Sequence, residues 1–431
     1  MLNRFIYLFA TKAIVMFDLK KIIIFYFYSF LFVDLINGFL LKELSIDFPI
    51  SFGQLIRGIL TFLLLIDVFK NKKITDSNKF SLLFIILTPF IIIIYFLNDL
   101  SFKAITLNIL EISKVVFFLL LLDNIVKNSS FYMKKINSIF MINLYIFSLS
   151  IILSFIFGIG IDAYKYYYVS NKSYFYASNA TAVIGFTMCI YFTYMAKIKY
   201  KHIFNLLLVI TAFIISGSKI ILLYPLFMIY FFYNEFLNEF KYKILTILVV
   251  PLLLSLFFTN FFDPNIFIKN ILVERYQERT LHSINMFKKH EQIDIEPLKW
   301  YSYVSGIRAY RADRGIKEIF SNPTNLFFGF GTAMKSKVIG MKYGGQSGSE
   351  MDFIDIFLNF GIIGFLLVVI PIMKLIFPLI LNFNTNFLAT SIYFIFLYSF
   401  FAGHVITSPM AGSIFALLLG SSKQNFVKNR L

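Results

Sequence analysis

Apolar residues in this chain are gathered into long unbroken runs separated by short polar connections. The runs lie at about 22–41, 50–69, 80–97, 104–126, 138–160, 179–196, 203–216, 218–233, 244–262, 353–373, 386–403 and 408–420. Most approach the roughly 20 residues that a helix needs to cross a bilayer. A membrane β-barrel would instead show short alternating segments. The pattern therefore predicts an all-α polytopic membrane protein of about twelve transmembrane helices. It divides into an N-terminal bundle of about nine helices (1–262), one long connection (263–352), and C-terminal helices with a tail (353–431).

Lys and Arg concentrate in alternate connections: Lys70, Lys72 and Lys73; Lys127, Lys134 and Lys135; Lys197, Lys199 and Lys201; Lys241 and Lys243; and finally Lys423, Lys428 and Arg430. Basic connections stay in the cytoplasm, so both termini are expected there, and 263–352 is expected to face outward. Most of the net charge of +17 lies in these short connections, so it reports topology and not nucleic-acid binding. Arg4, Lys12, Lys20 and Lys21 precede no small-residue cleavage site, and no removable signal peptide is expected. The one cysteine, Cys189, sits within an apolar run and supports neither a disulfide framework nor a metal motif.

The connection 263–352 far exceeds ordinary lengths, which marks it as functional. It holds 13 Lys and Arg against 10 Asp and Glu. An outward loop with net positive charge opposes the topological bias, so its cations have another task. Helices are expected over Val273–Lys289 and Tyr301–Phe320, the second ending at the Asn322-Pro323 break.

The candidate chemistry sits at the end of this loop. Arg308, Arg311 and Arg314 are spaced by three along one broad helix face. They suit phosphate oxygens, or else form a solvated face paired with Asp313 and Glu318. Glu350 and Asp352 stand just before a span, as a general base tuned by burial and nearby cations or as carboxylates favouring the helix dipole. Gly329-Phe330-Gly331 lacks the strand–turn–helix context of a dinucleotide site and reads as a tight turn. Lys219, in Ser216-Gly217-Ser218-Lys219, either meets an anion or snorkels to the headgroups. Glu111 and Lys114 are three apart and neutralise each other, whereas Arg57 lies mid-span with no obvious local partner. His404 is an interfacial residue in an outward turn. His282 and His290 lack metal-pair spacing, and Glu350 with Asp352 offers too few ligands for a metal.

Several of these segments together resemble the superfamily of O-antigen polymerases (Wzy-type) and O-antigen ligases. They are Asn322-Pro323 followed by Phe327-Phe-Gly-Phe-Gly331, then Glu350-Met-Asp-Phe-Ile-Asp-Ile-Phe-Leu-Asn-Phe-Gly361, Ser216-Gly-Ser-Lys219, Tyr174-Phe-Tyr-Ala-Ser-Asn179, and Arg57 in Gly53-Gln-Leu-Ile-Arg57. The resemblance implies a GT-C-class fold and glycosyl transfer outside the inner membrane, without a cofactor. The implied donor is a glycan on undecaprenyl diphosphate. Arg308 and Lys219 correspond to cations contacting the diphosphate, a role that Arg311 or Arg314 could take because the local match slides, and Arg57 is counted with the diphosphate-binding residues. Glu350 falls where ligases carry a catalytic His, a departure that polymerases share. The chain is thus expected to be a metal-independent polymerase of lipid-linked repeat units. Its expected partners are that substrate, the bilayer and a chain-length regulator. A ligase to lipid A core and a lipid-linked oligosaccharide flippase are the alternatives. The ligase lacks its His, and a flippase would need polar residues along a central path rather than a 90-residue loop.

Overall fold

The computed structural model describes residues 18–46, 51–70, 76–98, 102–161, 171–175, 177–218, 220–221, 224, 307–332, 349–381, 387–401 and 403–428. Lys219, most of the spans expected at 218–233 and 244–262, and the expected helix Val273–Lys289 lie outside them.

Within the described residues the secondary structure is helical and no strand forms. Helices run α1 (Leu19–Lys42), α2 (Phe52–Lys70), α3 (Asp76–Asn98), α4 (Phe102–Lys127), α5 (Ser129–Phe157), α6 (Ser178–Ile198), α7 (His202–Ile215), α8 (Ile307–Ser321), α9 (Pro323–Phe328), α10 (Asp352–Leu381), α11 (Phe387–Phe401) and α12 (Pro409–Lys428). Each expected span in the described part coincides with one of them. Six are long and apolar enough to cross a membrane: α1, α2, α5 and α6 in full, and the segments Ile105–Lys127 and Asp352–Ile380. The chain has the build of a helical membrane protein.

Local chemistry sets the helix ends. The Asp18 carboxylate accepts from the backbone N–H of Lys20 at 3.2 Å and opens α1. Gly158, at φ +64°, closes α5 with a left-handed cap. The expected Asn322-Pro323 break is present: Asn322 caps Thr324 N–H at 2.9 Å, and Pro323 starts α9, where its missing donor costs nothing.

The hub of the bundle is α12, which packs on α1, α4, α5, α6, α10 and α11. It is not among the six helices long and apolar enough to cross a membrane. Its face is built of small and hydroxyl residues, with Ala411, Ser413, Ala416, Ser421 and Ser422 all buried. A Cβ on Gly420 would lie 2.6 Å from Ile125 Cγ2, so that helix approach depends on glycine. Small residues let backbones come close, and packing replaces the hydrophobic drive that is absent between helices in lipid. By contrast α2 turns Leu55, Ile59, Phe62 and Phe69 outward. Lys114 and Glu111 pair at 2.5 Å along α4, as their spacing predicts.

Several connections meet at one end of this bundle. Tyr174, between α5 and α6, sets its carbonyl against Gly38 of α1 and donates its hydroxyl to Glu43 at 3.1 Å. Asn171 N–H donates to Ile215 at the end of α7. Gly403, between α11 and α12, touches Asn179 at the start of α6 and forms a parallel bridge with Met351 at the start of α10.

Candidate functional site

The polar site forms where α8 lies across the start of α10. Ala309 and Ala312 of α8 are fully buried and pack with Met351, while Ile354 and Ile316 flank them. Gly315 allows the closest approach, since a Cβ there would meet Leu358 Cδ1 at 2.5 Å. This apolar contact aims the arginines of α8 at residue 350. Arg308 donates to Glu350 Oε2 through Nε at 3.0 Å and Nη2 at 2.8 Å, and Arg311 Nη1 reaches Oε1 at 3.4 Å. Arg314 does not join them. It is exposed and lies against Tyr310, its Nη1 3.4 Å from the hydroxyl. Residues three apart drift about 60° per step around a 3.6-residue helix, so the third arginine has turned well away from the first. The nearby Asp313 is engaged by Lys317 at 2.8 Å.

Glu350 has an unusual backbone. Its φ of +60° is left-handed, a conformation that costs a non-glycine residue energy and tends to occur at functional sites. Asp355, one turn into α10, holds the turn. Its carboxylate accepts from Ser349 N–H at 2.8 Å, Ser349 Oγ at 3.1 Å and Glu350 N–H at 3.1 Å. Asp352 faces elsewhere. It is completely buried and accepts from the backbone N–H groups of Val405 and Ile406 (3.0 Å for Ile406) and from Thr407 Oγ1 at 3.1 Å. Asp352 opens α10, as expected of a carboxylate favouring the helix dipole, and it also clamps the 403–408 connection to that helix. His404 stands between the two, with Nδ1 3.7 Å from Asp355 Oδ2.

Electrostatics favour ionised groups at this point. Burial by itself would raise the Glu350 carboxyl, but the charges and hydrogen bonds of Arg308 and Arg311 outweigh it and hold it below the ordinary value. Burial lowers the Arg311 guanidinium, and Glu350 partly offsets that. The Asp355 carboxylate also acts on Arg311, so the cluster sets two cations among two carboxylates. Asp352 and Asp355 spend their oxygens on N–H and O–H donors, and no group of three metal-ligating side chains occurs among the described residues.

The glycines at 329 and 331 have φ of +79° and +76° and form the expected tight turn. The turn is also a joint with α10. A Cβ on Gly329 would fall 2.2 Å from the Asn359 carbonyl oxygen, and one on Gly361 2.3 Å from the Phe327 carbonyl carbon. Gly361, at φ +64° and ψ −172°, breaks α10 there. Thr332 N–H then donates to Asn108 of α4 at 2.8 Å, tying the loop to the bundle.

Asn179 reaches the site through Gly403, whereas Arg57 belongs to a separate cavity beyond the 403–408 connection. Sequence reasoning missed Asp355, Asp34 and Lys172. Lys172 is buried, donates from Nζ to Ser178 Oγ at 3.1 Å, and is pushed down to about 8 by burial. The left-handed turn at 350 leaves no local signal when its residue is Glu, and Asp355 would have been found only by counting one helical turn onward.

No family model, curated protein or solved structure matches the chain.

Proposed function

We propose that this protein polymerises oligosaccharide repeat units carried on undecaprenyl diphosphate, at the outer face of an inner membrane, within a GT-C-like bundle of about twelve spans. The observation that carries the reading is the convergence of Arg308 and Arg311 on Glu350 at the mouth of an apolar bundle. A diphosphate on a polyprenyl tail asks for guanidinium forks at such a boundary, with room in lipid for the tail.

In the proposed reaction an acceptor sugar hydroxyl attacks the anomeric carbon of the donor glycan. The bond from that carbon to the diphosphate oxygen breaks, and undecaprenyl diphosphate leaves with the electron pair. Arg308 and Arg311 stabilise the charge on the leaving group, a term that often dominates such catalysis. Lys219, which follows α7 in the chain, adds a further cation. Glu350 takes the hydroxyl proton. While both arginines hold it, Glu350 is a weak base. Once the diphosphate draws the guanidinium donors away, the burial that already pushes its pKa upward has less to oppose it.

The test is polymer formation by purified protein from lipid-linked repeat units, read beside a gene deletion. A polymerase deletion leaves single repeat units on the core, and a ligase deletion leaves bare core. Bare core, or lipid-linked units trapped on the inner leaflet as a flippase deletion would leave them, rejects the reading.

A further inference from the structure

His404 stands beside the Glu350 turn and has no part in the reaction above. The fold holds it from both sides. Gly403, before it, forms a parallel bridge with Met351. A Cβ at 403 would lie 3.0 Å from both Asn179 Cβ and Tyr398 Cε1, so glycine lets the connection run this close to α6 and α11. After it, the N–H groups of Val405 and Ile406 and the Thr407 hydroxyl bind Asp352 at the start of α10. The ring is thereby set beside α10, with Nδ1 3.7 Å from Asp355 Oδ2. That same oxygen accepts the backbone N–H of Glu350 at 3.1 Å. The imidazole and the Glu350 turn thus share one carboxylate oxygen.

Asp355 also acts on Arg311 through its charge, and Arg311 reaches Glu350 at 3.4 Å. One arginine therefore serves two carboxylates. A diphosphate that draws Arg308 and Arg311 toward itself adds negative charge and moves cation charge away from Glu350 and Asp355 together. Asp355 is buried and Glu350 part-buried, a setting in which charge without a counter-charge is costly. A proton offsets this loss, and its destination matters. On Glu350 it would consume the base that the reaction needs. On His404 it adds a cation at ion-pair distance from Asp355 and leaves Glu350 ionised. Imidazole is the side chain that ordinarily changes charge near neutral pH. At 35% exposure this ring can take its proton from water. Its charge reaches Glu350 and Asp352 as well. The charged and titratable groups around it also include Arg308 and Arg311 of α8, Tyr398 of α11 beside Gly403, and Lys172, which sits on Ser178 next to Asn179.

We propose that His404 takes up a proton when the diphosphate binds, and that its imidazolium replaces Arg311 as the counter-ion of Asp355. Arg311 then turns wholly to the diphosphate, and Glu350 stays ionised for the acceptor hydroxyl. His404 is a positioning residue in this scheme, acting through Asp355 and Arg311. One proton moves from water to the ring as the diphosphate binds, and returns to water as the product leaves. The inference rests on the glycosyl-transfer reading above and adds control of its anion site by pH.

The experiment is isothermal titration of the full-length protein in lipid nanodiscs with a polyprenyl diphosphate that carries no sugar. It is run at about pH 8, where an ordinary imidazole is neutral, in paired buffers of different ionisation enthalpy that read the protons taken up. Wild type should take up as much as about one proton per diphosphate and bind more tightly as the pH is lowered toward about 6. His404→Gln should take up none and bind roughly tenfold more weakly near pH 6, the worth of one charge interaction at a part-buried site. His404→Lys keeps its charge over this range, so it should restore affinity with no proton uptake and a flat pH profile. Thermal unfolding checks that each variant is folded. Uptake that survives in His404→Gln and disappears in Glu350→Gln would put the proton on Glu350 and overturn the proposal. Binding by wild type without uptake would do the same, as would a His404→Lys variant that binds no better than His404→Gln. If wild type binds no polyprenyl diphosphate, the glycosyl-transfer reading falls and this inference falls with it.

Discussion

Arg308 and Glu350 stand 42 residues apart in the chain, and the guanidinium sets two N–H groups on the single oxygen Oε2, at 3.0 and 2.8 Å. Arg311 takes the other oxygen. The carboxylate therefore occupies the donors that an incoming diphosphate needs. Glu350→Gln should then tighten polyprenyl diphosphate binding by roughly ten- to a hundredfold, the worth of a charged hydrogen-bonded competitor. The same variant should slow polymer formation by roughly 10²–10⁴-fold through loss of the base. Isothermal titration of purified protein beside a polymer assay checks both signs. Weaker binding by Glu350→Gln would mean that the carboxylate orders the arginines for the ligand and does not compete with it.

Replacement of the arginines should separate their roles. Arg308→Ala should abolish diphosphate binding and polymer, and Arg308→Lys should recover only part, because a point charge cannot reproduce two parallel donors. Arg314→Ala should change neither, since that side chain is exposed and turned toward Tyr310. A large loss on Arg314→Ala would reassign the anion site along α8.

Asp355 and Asp352 should differ in kind. Asp355→Ala frees the left-handed turn at Glu350, so polymer formation should fall while diphosphate binding stays within a few-fold. Asp352→Asn places an amide against three donors and should cost about 2–3 kcal/mol of stability, more than loss of a cap. Thermal unfolding in detergent, with each variant's binding measured alongside, checks the contrast.

The pH dependence follows from the direction of the Glu350 shift. Its folded pKa lies below the ordinary carboxyl value of about 4.3. Its pairing therefore stabilises the fold fully above that value and is lost as pH falls through the lower, folded pKa. The difference in melting temperature between wild type and Glu350→Gln should be constant near pH 6 and shrink below about pH 4. A difference that grows on acidification would contradict the ion pair.

Orientation is tested by cysteine labelling, helped by the full burial of the native Cys189. Ser45→Cys, at the same end of the bundle as Glu350, should react with an impermeant maleimide in cells with a permeabilised outer membrane. Lys199→Cys, between α6 and α7 at the opposite end, should not. The reverse pattern would put the site in the cytoplasm.

The sequence by itself determined the helices, because a run of apolar residues long enough to cross a bilayer is a local property that neighbours can extend but not erase. It determined the break at Asn322-Pro323 and the Glu111–Lys114 pair for the same reason, since each needs only residues within one helical turn. It also placed the arginine cluster and Glu350 in the segment between Arg308 and Asp352, with Arg57, Asn179, Lys219 and His404 as candidates outside it. Only the tertiary structure decided which groups meet. It separated Arg308 and Arg311 from Arg314 by the way α8 rolls onto Met351, sent Asp352 to the 403–408 connection, and gave Asp355 the task of holding Glu350. It set Arg57 opposite Asp34 and made α12, the least apolar of the long helices, the centre of the bundle. Those outcomes depend on close approach between residues far apart in the chain, and on where each carboxylate finds its donors. Neither leaves a periodic trace along a single helix.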